Sequence, residues 1–264
     1  MDSRPIGVFD SGVGGLSVVQ ALRAHLPSEN VIYYADTANA PYGDKSQEFI
    51  EQRCVALAEL LIAEDVKAIV IACNTATVSS ITALRNNYNL PIFGVEPGIK
   101  PALKSSKTGV VGVLATTQTL RSHSFKRLAE GLGDNTEILL QACPGLMEKV
   151  ERLEFNDAIT EQLINQYMQP LLLAGADHIV LGCTHYAFLL PLIRRVAGPH
   201  IALVNTASAV AKEVMRRLTI ANLLAPDKTI GAIELLTSGD KSVLDKQVEV
   251  LMTLEVITAG VADE

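Results

Sequence analysis

Two of the four cysteines in this chain end apolar runs that read as buried strands. In each case polar residues able to open a helix follow at once. Cys73 closes the run in VIACNTATV (70–78), and Cys183 does the same in IVLGCTHYA (179–187). A free thiol ionises near ~8.5, and a helix N-terminus favours its thiolate. Both positions are therefore expected to carry reactive thiols. Cys54, set among Val55, Leu57 and Ala58, and Cys143, just before Pro144, read instead as small buried apolar residues.

Several chemistries can use a thiol in this setting. A structural zinc site wants closely spaced Cys and His ligands, and only Cys183 and His185 are near neighbours, so no metal is expected. A Cys–His hydrolase needs one nucleophile and leaves the second thiol unexplained. Two thiols arriving from two similar halves suit a different chemistry, in which one takes a proton from one face of a carbon while the other delivers a proton to the opposite face. His185, two residues after the second thiol, has satisfying a helix start as its plain reading. Asp10 has the N-cap of the following helix as its plain reading.

FDSGVGGLSV (9–18) is the other segment with chemical content. Its glycines approach a dinucleotide fingerprint, and Asp36 ends the next strand, where a ribose-binding acid belongs. Against this, Ser17 replaces the third glycine and Asp10 would repel a pyrophosphate. The competing use is a tight turn whose N–H groups cradle a small substrate carboxylate.

The elements that must position these residues alternate strand and helix. Strands are expected at 6–10, 31–36, 67–73 and 91–95, with helices near 15–25, 46–63 and 75–87. After EPGIKPA (96–102), which reads as a junction, the pattern restarts. Strands at 109–115, 137–142, 178–183 and 201–205 alternate with helices near 118–131, 156–174 and 186–197. A helix at 207–223, a strand at 230–237, a helix at 240–251 and a strand at 254–258 complete the expected order. Such alternation predicts an α/β fold of two similar units with mainly parallel sheets flanked by helices. IGVFDSG parallels VGVLATT, and the spacings Asp10–Cys73 and Thr116–Cys183 are similar, so the units are expected to face each other about a pseudo-twofold axis. Ligands bind beyond the C-terminal strand ends of such sheets, where Asp10, Cys73, Thr116 and Cys183 all fall.

Composition narrows the class. With 264 residues, 48% hydrophobic and 19% charged, the chain supports one large domain or two ordinary ones and no disorder. A net charge of −7 speaks against a nucleic-acid partner. No apolar run reaches the ~20 residues of a membrane helix. The first residues lack a signal pattern, and the cysteines form no C-x-x-C pair, so reduced thiols in the cytoplasm are expected.

FDSGVGGLSV, YYADTANAPYGDKS, ACNTAT and GCTHY, in this order, resemble the cofactor-independent glutamate racemases of the aspartate/glutamate racemase superfamily. The resemblance runs over most of residues 6–205. It implies interconversion of L- and D-glutamate without a cofactor, for peptidoglycan synthesis, in a site between two domains: 1–97 plus 206–264, and 98–205. It assigns Cys73 to the D-glutamate face with Asp10, and Cys183 to the L-glutamate face with His185 and Glu151. Ser11, Pro41, Tyr42, Gly43, Asn74, Thr75, Thr116, Thr119 and Thr184 match substrate-holding positions. The chain departs from the family pattern in GLMEKVE (145–151), which leaves Glu148 and Glu151 as rival acids, and in VNTASA (204–209), which lacks the usual acidic residue. No lysine at a strand end offers a Schiff-base anchor, since Lys45 falls in a loop and Lys67 starts a strand. Aspartate or hydantoin racemisation, or a non-catalytic small-ligand protein, are the alternatives. The oligomeric state is left open, a homodimer among the options.

Overall fold

The computed structural model of the chain describes residues 1–122, 125, 136–226 and 230–254. In chain order these form β1 (Ile6–Asp10), α1 (Leu16–His25), β2 (Val31–Ala35), α2 (Gln47–Ala63), β3 (Ala68–Ile71), α3 (Asn74–Asn87), β4 (Ile92–Gly94), α4 (Ile99–Ser105), β5 (Val110–Ala115) and α5 (Thr117–Arg121). There follow β6 (Glu137–Ala142), α6 (Leu146–Glu151), α7 (Ala158–Leu173), β7 (His178–Gly182), α8 (Leu190–Ala197), β8 (Ala202–Val204), α9 (Ala207–Ile220), β9 (Ile233–Thr237) and α10 (Lys241–Leu251).

The strands form two parallel sheets, ordered β4-β3-β1-β2-β9 and β6-β5-β7-β8. Read from the opposite edge, the second sheet repeats the first four strands of the first: β8-β7-β5-β6 against β4-β3-β1-β2. β1 therefore corresponds to β5, and the Cys73 strand to the Cys183 strand. All ladders are parallel, with Asp10 opposite Ala35 and Phe9 opposite Ile71, so the strand C-termini share one edge. The central strands β1, β3 and β7 are buried along their whole length, as strands covered on both faces must be. One apolar core runs from Val8 and Val70 through to Leu181 and Leu189, and smaller clusters pack on the outer faces of each sheet.

Three expectations change. EPGIKPA continues into helix α4, because Pro101 occupies the first turn, where its missing N–H costs nothing. The segment after Cys183 is a 3₁₀ turn, Thr184–Leu189, and the α-helix begins only at Leu190. Pro191 then lies in the first turn of α8; a helix running through from 186 would have placed it in the interior. The strand expected at 230–237 begins at Ile233, paired in parallel with β2. Most of the helix placed near 118–131, and the strand placed at 254–258 except Leu254, lie outside the described residues.

At the sheet end away from the thiols, Lys67 is fully buried with Glu29. Its Nζ lies 2.5 Å from Glu29 Oε2 and donates to the Asp2 carbonyl at 2.6 Å, while Glu29 Oε1 accepts the Ala225 N–H at 2.8 Å. Removing one partner strands the other charge in a dry site. Lys67→Met should cost about 3–5 kcal/mol in urea unfolding, and Lys67→Met combined with Glu29→Leu should recover most of that loss.

Candidate active site

The segments leaving β1, β3, β5 and β7, together with α6, converge on one small cavity of about 60 Å³. Both thiols line it, accompanied by Ser11, Pro41, Tyr42, Gly43, Asn74, Thr75, Thr116 and His185 from the positions expected by sequence. Asp10, Glu151, Thr119 and Thr184 stand behind this lining. A wider cleft of about 560 Å³, between β4 and α9 and bordered by Arg85 and Arg217, contains neither thiol.

Cys73 is the N-cap residue of α3 and sits in extended backbone. The Ser11 hydroxyl lies 3.6 Å from its sulfur. The expectation that a helix start lowers this thiol does not hold: burial, reinforced by the Asp10 carboxylate, pushes Cys73 well above the ordinary thiol value. The Ala76 N–H at the start of α3 opposes that shift and is outweighed. Asp10 is itself fully buried, and burial raises its carboxyl above the usual range, although His185 and the Gly15 N–H pull the other way. It accepts the Ser11 N–H at 2.7 Å and the Gly15 N–H at 2.6 Å, so it orders the start of α1 as well as facing Cys73.

Cys183 has a different environment. With α8 starting seven residues later, its sulfur faces His185 Nδ1 at 3.7 Å rather than an α-helix N-terminus. His185 Nε2 meets Glu151 Oε1 at 2.6 Å. Burial opposes charge on the ring, but Cys183 and Glu151 together hold His185 well above the ordinary imidazole value. Glu151, on the last turn of α6, is thus the acid that touches His185, whereas Glu148 lines the cavity directly. Gly145, at φ +88°, lets the chain turn from Cys143 into α6.

The glycine segment does not form an open anion cradle. The Val13 N–H donates to Glu151 Oε1 at 2.8 Å, the Gly14 N–H lies 3.2 Å from His185 Nε2, and the Gly15 N–H serves Asp10. The short Glu151 contact takes the Nε2 proton and leaves that nitrogen no lone pair, so the Gly14 N–H packs against the ring edge without a hydrogen bond to it. A Cβ on Gly12 would collide with the Glu151 carboxylate, and one on Gly14 with the His185 ring. These glycines are small so that the loop of one sheet can close against the acid–base pair of the other. Tyr33, fully buried, fixes the same loop by donating to the Gly12 carbonyl at 2.6 Å.

The 37–45 loop contributes Pro41, Tyr42 and Gly43 and contains a cis Ala40–Pro41 peptide. Asp36 anchors it. Its carboxylate accepts Tyr42 Oη at 2.5 Å, Arg53 Nη2 at 2.8 Å and Asn39 Nδ2 at 3.0 Å. Asp36 is therefore a buried structural acid rather than a ribose ligand. Opposite the loop, the hydroxyls of Thr75, Thr116 and Thr119 bond one another at 2.9–3.1 Å, joining α3 to α5. Asn74 Nδ2 donates to the Val95 carbonyl at 2.9 Å, and the Thr184 carbonyl lies 3.3 Å from the Ser17 hydroxyl, whose shorter bond goes to the Gly14 carbonyl at 2.8 Å.

Sequence reasoning did not select Cys143, Met147 or Tyr186 for the site and named Glu148 only as a rival to Glu151, yet all four line the cavity. The CPG turn before LMEKVE was the available signal. Of the other thiols, Cys54 lies in the core of the first sheet, pushed up to about 12 by burial. Among the described residues no group of three or more His, Cys, Asp or Glu is arranged to hold a metal ion. A Ser–His–Asp chain, Ser105–His178–Asp177, sits at the opposite end of the second sheet. Ser105 Oγ bonds the Pro101 carbonyl at 2.8 Å, shorter than its 3.1 Å contact with His178, and the cluster ties α4 to β7.

Two thiols on matching strands of a repeated α/β unit, each with its own acid–base partner, define a class of enzyme that works on both faces of one carbon. The Asp/Glu/Hydantoin racemase family model matches residues 16–214, and the chain belongs to that family. Among its relatives, the glutamate racemase of Herpetosiphon aurantiacus is 50% identical over 91% of this chain and 94% of its own. That of Methylococcus capsulatus is 47% identical over 95% and 92%. The crystal structure of a Bacillus anthracis glutamate racemase isoform superposes with a TM-score of 0.87 at 32% identity, covering 96% of both chains. That of Escherichia coli glutamate racemase, in complex with L-glutamate and the activator UDP-MurNAc-Ala, gives 0.83 at 31% identity, covering 95% of both.

Two outcomes follow from the site's electrostatics. Burial works against the Asp36 carboxylate, but Arg53, Tyr42 and Asn39 outweigh it and hold Asp36 below the usual range. Its contribution to stability is therefore present above about pH 4 and is lost as pH falls through the lowered value. Asp36→Asn should lower unfolding stability by about 2 kcal/mol at neutral pH and raise KM through the loosened loop. His185 has the opposite sign: its contribution is full below about pH 6.5 and disappears as pH rises through the raised value. In thermal unfolding followed against pH, His185→Gln should remove that alkaline decline.

Proposed function

We propose that this protein interconverts L- and D-glutamate by two-thiol proton exchange, without a pyridoxal cofactor. The observation that carries the reading is the pairing of the two cavity thiols with unlike partners. Cys73 is held as a thiol beside Asp10, while Cys183 faces an imidazole held in its charged form. With Asp10 beside one sulfur and the His185–Glu151 pair beside the other, Cys183 serves as the base toward L-glutamate and Cys73 as the acid.

In the L-to-D direction, the Cys183 thiolate removes the α-proton of L-glutamate and the electron pair stays on Cα. The S–H of Cys73 then delivers its proton to the opposite face, leaving a Cys183 thiol and a Cys73 thiolate. The reverse reaction starts from that second state, with Asp10 beside the basic sulfur. Tyr42, Gly43 and Thr117 line the same cavity. The hydroxyls of Ser11, Thr75 and Thr116 and the amide of Asn74 supply donors for the substrate carboxylates. Thr119 and Thr184 support that set from behind. The division into 1–97 plus 206–264 and 98–205 belongs to the same reading, as does a role in supplying D-glutamate for peptidoglycan in the cytoplasm. Glutamate, rather than aspartate or a hydantoin, is favoured by the relatives at close to half identity.

Purified protein incubated with L-glutamate in D2O, without pyridoxal, should lose optical rotation and the α-proton signal together. Loss of neither, with L-aspartate racemised instead, would reassign the substrate; exchange of no amino acid would end the catalytic reading. Cys73→Ser and Cys183→Ser should each lower racemisation by about 10³-fold or more, whereas Cys54→Ala should leave turnover nearly unchanged. Cys143, facing the cavity, should tolerate alanine less well than Cys54.

A further inference from the structure

Glu151 can hold the His185 ring only if its own carboxylate is held. It is the last residue of α6, where a helix leaves its carbonyls without intrahelical partners. The group that meets it comes from elsewhere in the chain. Gln247, on α10, donates from Nε2 to the Glu151 carbonyl at 2.7 Å and lies 3.4 Å from Oε2 of the same residue. The Val13 N–H takes Oε1. Glu151 is thus gripped at its backbone and at both carboxylate oxygens, always from elements of the first sheet's side.

Gln247 is only 4% exposed, and its Oε1 has no hydrogen-bond partner among the described residues. A buried amide with one end unsatisfied is unfavourable. An apolar side chain would pack α10 without that cost. Turning the amide over would set its oxygen against the Glu151 carbonyl, so the Nε2-inward orientation is fixed by repulsion. The helix itself is already tied down independently: Gln20 Nε2 donates to the Leu251 and Leu254 carbonyls at 2.9 and 3.0 Å.

We infer that Gln247 is the positioning residue of the second thiol, acting through Glu151 and His185 on Cys183. The inference rests on the two-thiol reading and deepens it. The Cys183 half of the mechanism is completed by the segment that returns to the first sheet near the chain's end, and among the described residues the Cys73 half has no equivalent.

The test compares Gln247→Leu with Gln20→Leu, which loosens the same helix without touching Glu151. L- and D-glutamate have equal free energy, so any variant must lower kcat/KM equally in both directions. The isotope effects carry the distinction. With Gln247→Leu, kcat/KM should fall about ten- to a hundredfold, the worth of a hydrogen bond to a charged group, mostly through kcat. The primary isotope effect should rise for L-[2-²H]glutamate, whose proton goes to Cys183, and fall for the D-isomer. Equal isotope effects in the two directions, or a loss no larger than that of Gln20→Leu, would overturn the inference. If Gln247→Leu does not fold, Gln247→Met serves as the second variant with the same readouts. A measurement independent of turnover separates this inference from the functional reading: the ¹⁵N titration of His185, which faces Glu151, Cys183 and Asp10. Its midpoint should drop in the Gln247 variants and stay in place in Gln20→Leu. A wild type that racemises nothing, with that shift present, would count against the reaction and not against the positioning; an unmoved midpoint would refute the positioning itself.

Discussion

Two backbone N–H groups of the β1–α1 loop, those of Val13 and Gly15, hold one carboxylate from each half of the molecule. Val13 donates to Glu151 and Gly15 reaches back to Asp10, while Gly14 between them packs against the edge of the His185 ring. Much else in the fold serves this contact. Gly12 and Gly14 must lack a Cβ because the second half's side chains fill the space where it would lie. Tyr33 is buried beneath the loop to fix its height, and the apolar core is continuous between the sheets, so the approach is a packed one. Backbone donors suit this role because their direction is set by φ and ψ and costs no side-chain entropy.

The contact makes the two halves unequal, although their strand orders repeat. Cys73 is paired with a carboxyl that burial tends to keep protonated, and Cys183 with an imidazole that its neighbours tend to keep protonated. A duplicated scaffold therefore carries two different solutions to holding a proton near sulfur. The difference originates in the helper residues, since both cysteines occupy equivalent strand ends and equivalent extended backbone.

Much of this was legible in the sequence, for reasons that differ by residue. The buried strands β1, β3 and β7 announced themselves as unbroken apolar runs, and the two thiols stood out because polar segments followed them. The glycine segment was recognisable as special, but its purpose was not. Whether a glycine makes room for a ligand or for another part of the chain depends on what arrives opposite it, and that is a tertiary fact. Cys143 and Met147 were missed because they flank or open one short helix, α6, with no apolar period to reveal it, and Tyr186 because the 3₁₀ turn that carries it was read as the start of an α-helix. Proline placement decided two boundaries: Pro101 sits where a helix accepts it, and Pro191 sits where the α-helix had to begin late. Gln247 lies far along the chain in a helix with no motif, so nothing in its neighbours points to Glu151.

The ring of hydroxyls formed by Thr75, Thr116 and Thr119 has a consequence for the cavity it borders. Three alcohols that bond one another need no water to satisfy them, so this wall can stay dry between visits. Each hydroxyl also carries a single rotatable proton, and turning it outward takes only a torsion about C–O. For Thr75 and Thr116, which line the cavity, that turn aims a donor at an arriving anion with no side chain changing place, while the buried Thr119 stays behind them. The wall is in effect a surface whose polarity is called up by its guest.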